Sequence, residues 1–503
     1  MNARYIVAVD QSTSATKACL FDERGAIVKR ATVEHKQYYP QPGYVEHDAQ
    51  EILANTHLAI LRVVTEAGID TKAVAALAIT NQRETIVAWD SESGKPVYHA
   101  LVWQDERGTA ACQALLEQGA GEEIKKRTGL VVDTYFSASK LQWMVENAPQ
   151  CARAAEAGTL MAGTVDSWLI WNFTGRSVFA TDYSNASRTL LFNIEEQRWD
   201  ERLLELFNLS SVRLPDVRYS DETFGRYRFR ETGDEVPIIG VMGDSHAALY
   251  GHAGFEQGAA KTTFGTGSSV MMNIGPGFRS SPEGVVTSVA WGVGGEVSYV
   301  YEGNIHYTGD TIRWVRDSLG LFTDYGEAES RASALEDNGG VYLVPAFSGL
   351  GAPHWVHGIR AAITGLSRGS GADHIIRAGL ESIAFQVNDV IETMLSGSKL
   401  TLPSLHVDGG PTGNRFLMQF LADILAVPIH VGGIEEVSAR GVAFVAGAAT
   451  GVWKDREALK RIVEPSAVYE PKMEPDRRDA LLQGWKHALE QVLVKAKKER
   501  NTV

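Results

Sequence analysis

Three times in this chain an apolar, β-branched segment runs into a short turn built largely from Gly, Ser, Thr and Asp, and these turns constrain the fold more than any other feature. The first follows residues 4–9 and reads Asp10-Gln11-Ser12-Thr13-Ser14 before the chain resumes as a strand over 16–21. The second follows 260–264 and reads Gly265-Thr266-Gly267-Ser268-Ser269 ahead of a strand at 270–273. The third follows 405–407 and reads Asp408-Gly409-Gly410-Pro411-Thr412-Gly413-Asn414, with a helical pattern from Phe416 to Leu425 behind it. Backbone N–H groups and small hydroxyls approach phosphate oxygens closely only where no bulky side chain intervenes. One such turn alone is an ordinary hairpin. Three of them at strand ends, two carrying Asp, point to a polyphosphate ligand. The pattern GxxxxGK[ST] is absent, as is GxGxxG behind a strand, so a nucleotide here needs another architecture.

The remaining pattern is that of an α/β protein. A third strand is predicted over 26–34. Asp48-Ala49-Gln50-Glu51 then has capping-box spacing ahead of the helical series Ile52, Leu53, Leu58, Leu61 and Val64. Strands over 74–80 and 85–89 flank the polar loop Asn81-Gln82-Arg83-Glu84, and 237–241 leads into Gly243-Asp244-Ser245. The last segment, 474–498, places Leu481, Leu482, Trp485, Leu489, Val492 and Leu493 on one helix face, with Lys495–Lys498 at its carboxyl end, where positive charge suits the helix dipole. Weak repetition of the hairpin-plus-helix theme predicts two related domains around one cleft, 1–250 and 251–503.

Composition narrows the function. The 503 residues carry 48 Lys+Arg against 62 Asp+Glu, a net charge of −14 with no segregated basic patch, which disfavours nucleic acid and acidic membrane surfaces. Three cysteines, Cys19, Cys112 and Cys151, have neither disulfide-framework nor zinc spacing. No run approaches the ~18 apolar residues of a membrane span, and 6–9 is too short for a secretory leader. A cytoplasmic protein is expected.

In order, the strings IVAVDQSTSATK, ITNQRET, VWQDER, DTYFSASKLQW, GTVDSWLIW, TDYSNASRTLLFNI, KTTFGTGSS, VPAFSGLGAPHW, GLSRGSGADHIIRAGLESIAFQ and VDGGPTGNRFLMQ resemble the FGGY family of sugar kinases, and within it the glycerol kinase branch. The likeness runs from about residue 4 to about 450. It implies two actin-like or hexokinase-like (ribonuclease H-like) ATPase domains flanking a deep catalytic cleft, with ATP and Mg²⁺ on one side and a small polyol or sugar on the other. By resemblance, Asp10 is the acidic residue at the Mg²⁺–phosphate end, Thr13, Ser14 and Lys17 form the first phosphate loop, and Thr266 and Gly267 form the second. Gly309, Arg313, Gly409, Gly410 and Asn414 line the adenosine pocket. Asp244 is the general base and a second carboxylate for the metal, while Arg83, Glu84, Trp103 and Tyr135 contact the acceptor. These residue types suit phosphoryl transfer to an alcohol. A carboxylate accepts the proton of the attacking hydroxyl, Arg and Glu offer a donor and an acceptor to vicinal hydroxyls, and aromatic faces cover the carbon skeleton.

The chain departs from the glycerol kinase pattern at several positions. Lys17 stands where Arg is usual and Arg313 where Gln is usual. Ser245 replaces a Gln, and Ser269 replaces a Phe that packs on glycerol. The two serines predict an acceptor pocket wider and more polar than three carbons need, and His246 adds another donor beside it. Glu231–Asp234 is shorter than the loop through which some members bind fructose 1,6-bisphosphate, so that inhibition is not expected. A homo-oligomer, dimer or tetramer, is expected from the family. Two alternatives stay open: a ketose kinase of the ribulokinase or xylulokinase kind, and a nucleotide-dependent binding module with degenerate catalysis.

Overall fold

The computed structural model describes residues 4–356 and 358–500, with side chains as far as Val494. The first turn lies in an antiparallel meander of β1 (Tyr5–Gln11), β2 (Ala15–Phe21) and β3 (Ile27–Glu34). β4 (Val74–Asn81) lies parallel to β1. β5 (Arg226–Arg228) and β6 (Glu235–Gly243) extend the sheet, β6 parallel to β4 and β5 antiparallel at the edge. The second and third turns belong to another sheet. There β7 (Ala260–Phe264), β8 (Ser268–Pro276), β9 (Val286–Val293) and β10 (Glu296–Ile305) are joined antiparallel, with β10 between β8 and β9. β11 (Leu405–Gly409) runs parallel to β7 and β12 (Ile429–Val431) parallel to β11, with β13 (Ala467–Tyr469) antiparallel at the edge. The first sheet therefore has three antiparallel strands, then two parallel strands, then an antiparallel edge strand, and the second has the same order with a fourth antiparallel strand, β9, added at its far edge. The repetition read in the sequence is a repetition of topology.

This arrangement gathers the polar turns. Parallel strands of an α/β sheet present their carboxyl ends to one side, where ligands bind. The ends of β1, β4 and β6 in one sheet, and of β7 and β11 in the other, carry Asp10, the 81–84 loop, Asp244 and the two Gly-rich turns. After α1 (Ala49–Ala67), helices α2 (Asp244–Gly251), α3 (Gly309–Asp317), α4 (Arg415–Leu425) and α5 (Val437–Ala449) each start within a few residues of a strand end on these sheets. α2 and α5 pack together between the sheets. Ala247, Leu249 and Tyr250 share a buried cluster with Val442, Phe444 and Ala446, and with Ile6, Ala8, Cys19 and Phe21 of the first meander.

Local expectations fare unevenly. Asp48 caps α1 by accepting from the Gln50 N–H (2.8 Å), but the reciprocal half of the capping box does not form, because Glu51 accepts from the Lys36 N–H (3.3 Å) instead. The 85–89 strand, observed as Ile86–Asp90, leaves the first sheet and pairs with Leu160–Thr164 in a separate five-stranded sheet, so Arg83 and Glu84 lie at the crossover between sheets. The last helix, α6 (Pro475–Arg500), buries Leu481, Leu482, Trp485, Leu489 and Val492 as its spacing predicts, with Trp485 stacked on Phe385 at 5.2 Å. The side chains of Lys495–Lys498 lie outside the described residues.

Candidate active site

The β1–β2 turn is held from several sides. The Ser12 N–H donates to the Ala15 carbonyl (2.9 Å), His35 Nε2 to the Thr13 carbonyl (2.8 Å) and the Gln82 N–H to the Gln11 carbonyl (2.7 Å). Asp10 and Lys17 face each other across the ladder, but the Lys17 ammonium is ion-paired with Glu436 at 3.0 Å. Glu436, just before α5, is buried and also takes Arg30 at 2.9 Å. The expected phosphate-loop lysine is thus engaged by a carboxylate that no sequence motif singles out. Burial pushes the Asp10 carboxyl up to about 7; Lys17 opposes the shift, while Asp244 and Glu436 add to it.

The second turn is stitched to the start of α3. The Thr308 and Asp310 N–H groups donate to the Thr266 carbonyl (3.0 and 3.1 Å), and the Gly309 N–H donates to the Gly265 carbonyl (3.1 Å). A Cβ on Gly309 would stand 2.4 Å from that same oxygen, so only glycine permits the approach. β11 brings the third turn alongside: Gly409 pairs with Phe264, has φ +96°, and a Cβ there would meet the Phe264 carbonyl oxygen at 2.0 Å. Gly410 is exposed beside it. Asn414 Oδ1 caps α4 by accepting from the Leu417 N–H (2.9 Å), and Arg313 pairs with Asp310 of its own helix at 3.4 Å. The two longer side chains of the expected adenosine pocket, Asn414 and Arg313, thus have structural partners.

The residues expected on the acceptor side converge. Arg83 is buried and gives both terminal nitrogens to Glu302, Nη2–Oε1 2.8 Å and Nη1–Oε2 3.1 Å, while its Nε lies 3.1 Å from Asp244 Oδ1. Glu84, at φ +60°, accepts from Arg188 Nε (2.6 Å), and Arg188 Nη1 lies 2.7 Å from Glu302. Burial raises the Glu84 carboxyl against the pull of Arg83 and Arg188. For Glu302, burial acts upward too, but Arg188 and Arg83 prevail and hold it below the usual carboxylate range. Trp103 and Tyr135 meet edge to face at 5.5 Å, and Trp103 Nε1 donates to Thr13 Oγ1 (3.0 Å), joining the aromatic pair to the β1–β2 turn. Tyr135 is positioned by buried Lys140, whose ammonium donates to the carbonyls of Thr134, Tyr135 and Phe136 at 2.6–2.8 Å. Ser269 Oγ reaches Glu302 at 3.4 Å, and Ser245 is half-buried at the first turn of α2. His246 is fully buried against Ser288 Oγ (3.3 Å), and burial lowers its basicity well below the ordinary value.

Residues 5–251 match the N-terminal domain, and residues 260–450 the C-terminal domain, of the FGGY family of carbohydrate kinases. The chain belongs to that family. Glycerol kinase 1 of Thermotoga maritima is 52% identical to this FGGY kinase over 97% of the chain and 99% of its own length. The glycerol kinase of Petrotoga mobilis is 46% identical over 97% and 98%. Among solved structures, Plasmodium falciparum glycerol kinase with ADP superposes with a TM-score of 0.93 at 34% identity, covering 98% of each chain.

Sequence reasoning missed the partners of the FGGY kinase's site residues. Arg188, Glu302 and Glu436 are all buried, yet no spacing rule pairs residues more than a hundred positions apart. The available signal was Glu302 itself, a carboxylate inside a ten-residue strand buried on both faces, which requires a cation. A second buried network lies beneath the third turn: Lys261 Nζ donates to Thr263 Oγ1 (2.9 Å), and Thr263 Oγ1 (3.2 Å) and His252 Nε2 (2.8 Å) donate to Asp408 Oδ2. Among the described residues no group of three or more His, Cys, Asp or Glu side chains forms a metal cage, and no helix is long and apolar enough to cross a membrane. Asp10 and Asp244 suit Mg²⁺ nonetheless, since that ion is usually held by one or two carboxylates, substrate phosphates and water. Asp10 is a buried carboxylate whose one side-chain donor among the described residues is the Ser12 hydroxyl at 3.3 Å, leaving a group that a cation would complete.

Proposed function

We propose that this kinase transfers the γ-phosphoryl group of ATP to a terminal hydroxyl of a small polyol. Asp244 acts as general base, and Asp10 with Asp244 holds the metal end. The observation that carries the reading is the convergence of Arg83, Glu84 and Asp244 at one point, with Tyr135 within electrostatic reach of Arg83 and Glu84 and Trp103 packed edge to face on it. Asp244 is more than a third exposed, so a hydroxyl can reach it. Arg83 and Glu84 then grip the neighbouring hydroxyl, and the rings exclude water from the carbon chain. Mg²⁺, when bound, neutralises phosphate charge during transfer. Thr13, Ser14 and Lys17, with Thr266 and Gly267, form the phosphate cradle. Gly309, Arg313, Gly409, Gly410 and Asn414 border the nucleoside. In this reading residues 1–250 supply the acceptor side and first phosphate loop, and 251–503 the second loop and adenosine site. The enzyme works in the cytoplasm, in keeping with its unbridged, buried cysteines, and as a homo-oligomer, which light scattering on the purified protein tests.

Ser245 and Ser269 favour a finer substrate assignment. Both are small where the glycerol kinase pattern has bulk, and Ser269 directs its hydroxyl to Glu302, so a four- or five-carbon polyol or ketose fits better than glycerol. A coupled ADP-release assay over glycerol, erythritol, threitol, arabinitol, ribitol, xylulose and ribulose, with Asp244→Asn as control, tests both statements. Turnover of a larger acceptor, abolished in the variant, supports the full reading. Glycerol giving the highest kcat/KM removes the finer one, and ATP hydrolysis indifferent to every polyol removes both.

A further inference from the structure

Glu302 is not one of the positions expected to touch nucleotide or acceptor, yet it is ion-paired with both arginines of the acceptor site. It comes from β10 of the second sheet, whereas Arg83, Glu84 and Arg188 all lie within 1–250. Its two oxygens hold Arg83 by both terminal nitrogens (2.8 and 3.1 Å) and Arg188 by one (2.7 Å), and Arg188 in turn holds Glu84 (2.6 Å). Arg188 is held as an ion pair, and Ser269 Oγ adds a hydrogen bond at 3.4 Å to the two from Arg83. The bidentate geometry fixes the plane of the Arg83 guanidinium, leaving its Nε edge toward Asp244. Without Glu302, the carboxylates nearest Arg83 are Asp244 at 3.1 Å and Glu84 at 3.9 Å. The freed terminal nitrogens of Arg83 would turn to these two, which it now meets only by Nε and which are the residues expected to receive the acceptor's hydroxyls.

Resting on the acceptor-site reading above, we propose that Glu302 is a positioning residue. It reaches across from the second domain to clamp Arg83 and Arg188, which keeps the terminal nitrogens of Arg83 off Asp244 and, through Arg188, fixes Glu84 in place for the acceptor.

The test is steady-state kinetics of Glu302→Gln and Glu302→Asp with the acceptor and ATP varied separately, and Trp103→Ala as reference for the acceptor site. In Glu302→Gln the acceptor KM is expected to rise about tenfold or more, from loss of charge-assisted hydrogen bonds, while the ATP KM stays within about twofold. Glu302→Asp recovers part of the loss because it keeps the charge. A structural role alone would lower thermal stability without separating the two constants. If Glu302→Gln does not fold, Arg188→Lys, which keeps the charge but loses the planar fork, is expected to show the same split in weaker form. Equal changes in both constants, or an unchanged acceptor KM in Glu302→Gln while Trp103→Ala raises it, overturn the proposal and leave the acceptor reading standing. An acceptor KM unmoved in every variant overturns both.

Discussion

Replacing Gly309 by Ala tests whether the 265–267 turn holds phosphate. The added Cβ would stand 2.4 Å from the Gly265 carbonyl oxygen, and even 3.0 Å is closer than real Cβ atoms approach. The turn or the start of α3 therefore has to withdraw by at least about 0.6 Å. Neither partner is a flexible side chain. Three backbone hydrogen bonds of 3.0–3.1 Å tie Gly265 and Thr266 to residues 308–310, so the displacement is transmitted to the turn instead of being absorbed beside it. Overpacking of this kind costs about 1–3 kcal/mol of stability, which leaves a protein of this size folded. Its effect on a phosphate cradle is larger, since displacing a positioning group by ~1 Å costs up to about a hundredfold in rate. Gly309→Ala is thus expected to lower kcat/KM for ATP roughly tenfold or more and to leave the acceptor KM within about twofold. Gly371→Ala, where nothing lies within 4 Å of the new Cβ, serves as the control. The coupled ADP-release assay reads both constants, and calorimetry checks the fold. A folded Gly309→Ala enzyme with wild-type ATP kinetics would show that this turn does not bind phosphate.

Three further outcomes follow from the site. Asp244→Asn is expected to reduce kcat by about 10²–10⁴ with little change in the acceptor KM, since it removes proton acceptance and keeps the shape; retention of more than a tenth of the activity rules Asp244 out as the base. Burial brings the Lys261 ammonium down to about 8 from its ordinary 10.5, against the pull of Asp408, so its charge costs the native state about 3 kcal/mol below pH 8, and the cost is relieved as pH rises from 8 to 10.5. Lys261→Met should accordingly be more stable than wild type in urea at pH 7 and lose that advantage by pH 10.5; a pH-independent difference contradicts this. Ser245→Gln combined with Ser269→Phe is expected to shift kcat/KM toward glycerol, relative to the best larger acceptor, by about ten- to a hundredfold, and an unchanged ratio in the substrate panel counts against the wide-pocket assignment.

What could be read from the sequence divides along a physical line. Strand-to-turn transitions are local: the apolar runs give way to polar residues and glycine at Asp10, Gly265–Gly267 and Gly409, the last with a left-handed φ, and the structure puts each at a sheet's carboxyl edge. The helix faces are local too, which is why the buried stripe of 475–494 was legible. Partnership is not local. Lys17 could be placed opposite Asp10 by hairpin register alone, but its ammonium turns to Glu436, 419 positions away, because a half-buried lysine takes the nearest carboxylate that three dimensions supply. The same holds at the acceptor site, where spacing shows Arg83 and Glu84 as adjacent polar residues on a loop and says nothing of the Glu302–Arg188 bridge that fixes their geometry. That bridge separates holding the site residues from merely possessing them: with both terminal nitrogens on Glu302, Arg83 meets Asp244 by its Nε alone, and without Glu302 the whole guanidinium would be free to turn onto that carboxylate, with less left to offer a hydroxyl. Whether the acceptor constants respond to Glu302 therefore decides more than one residue's role. It decides whether this site is assembled by the loop that carries its motif or by the strand of the opposite domain that holds the loop in place.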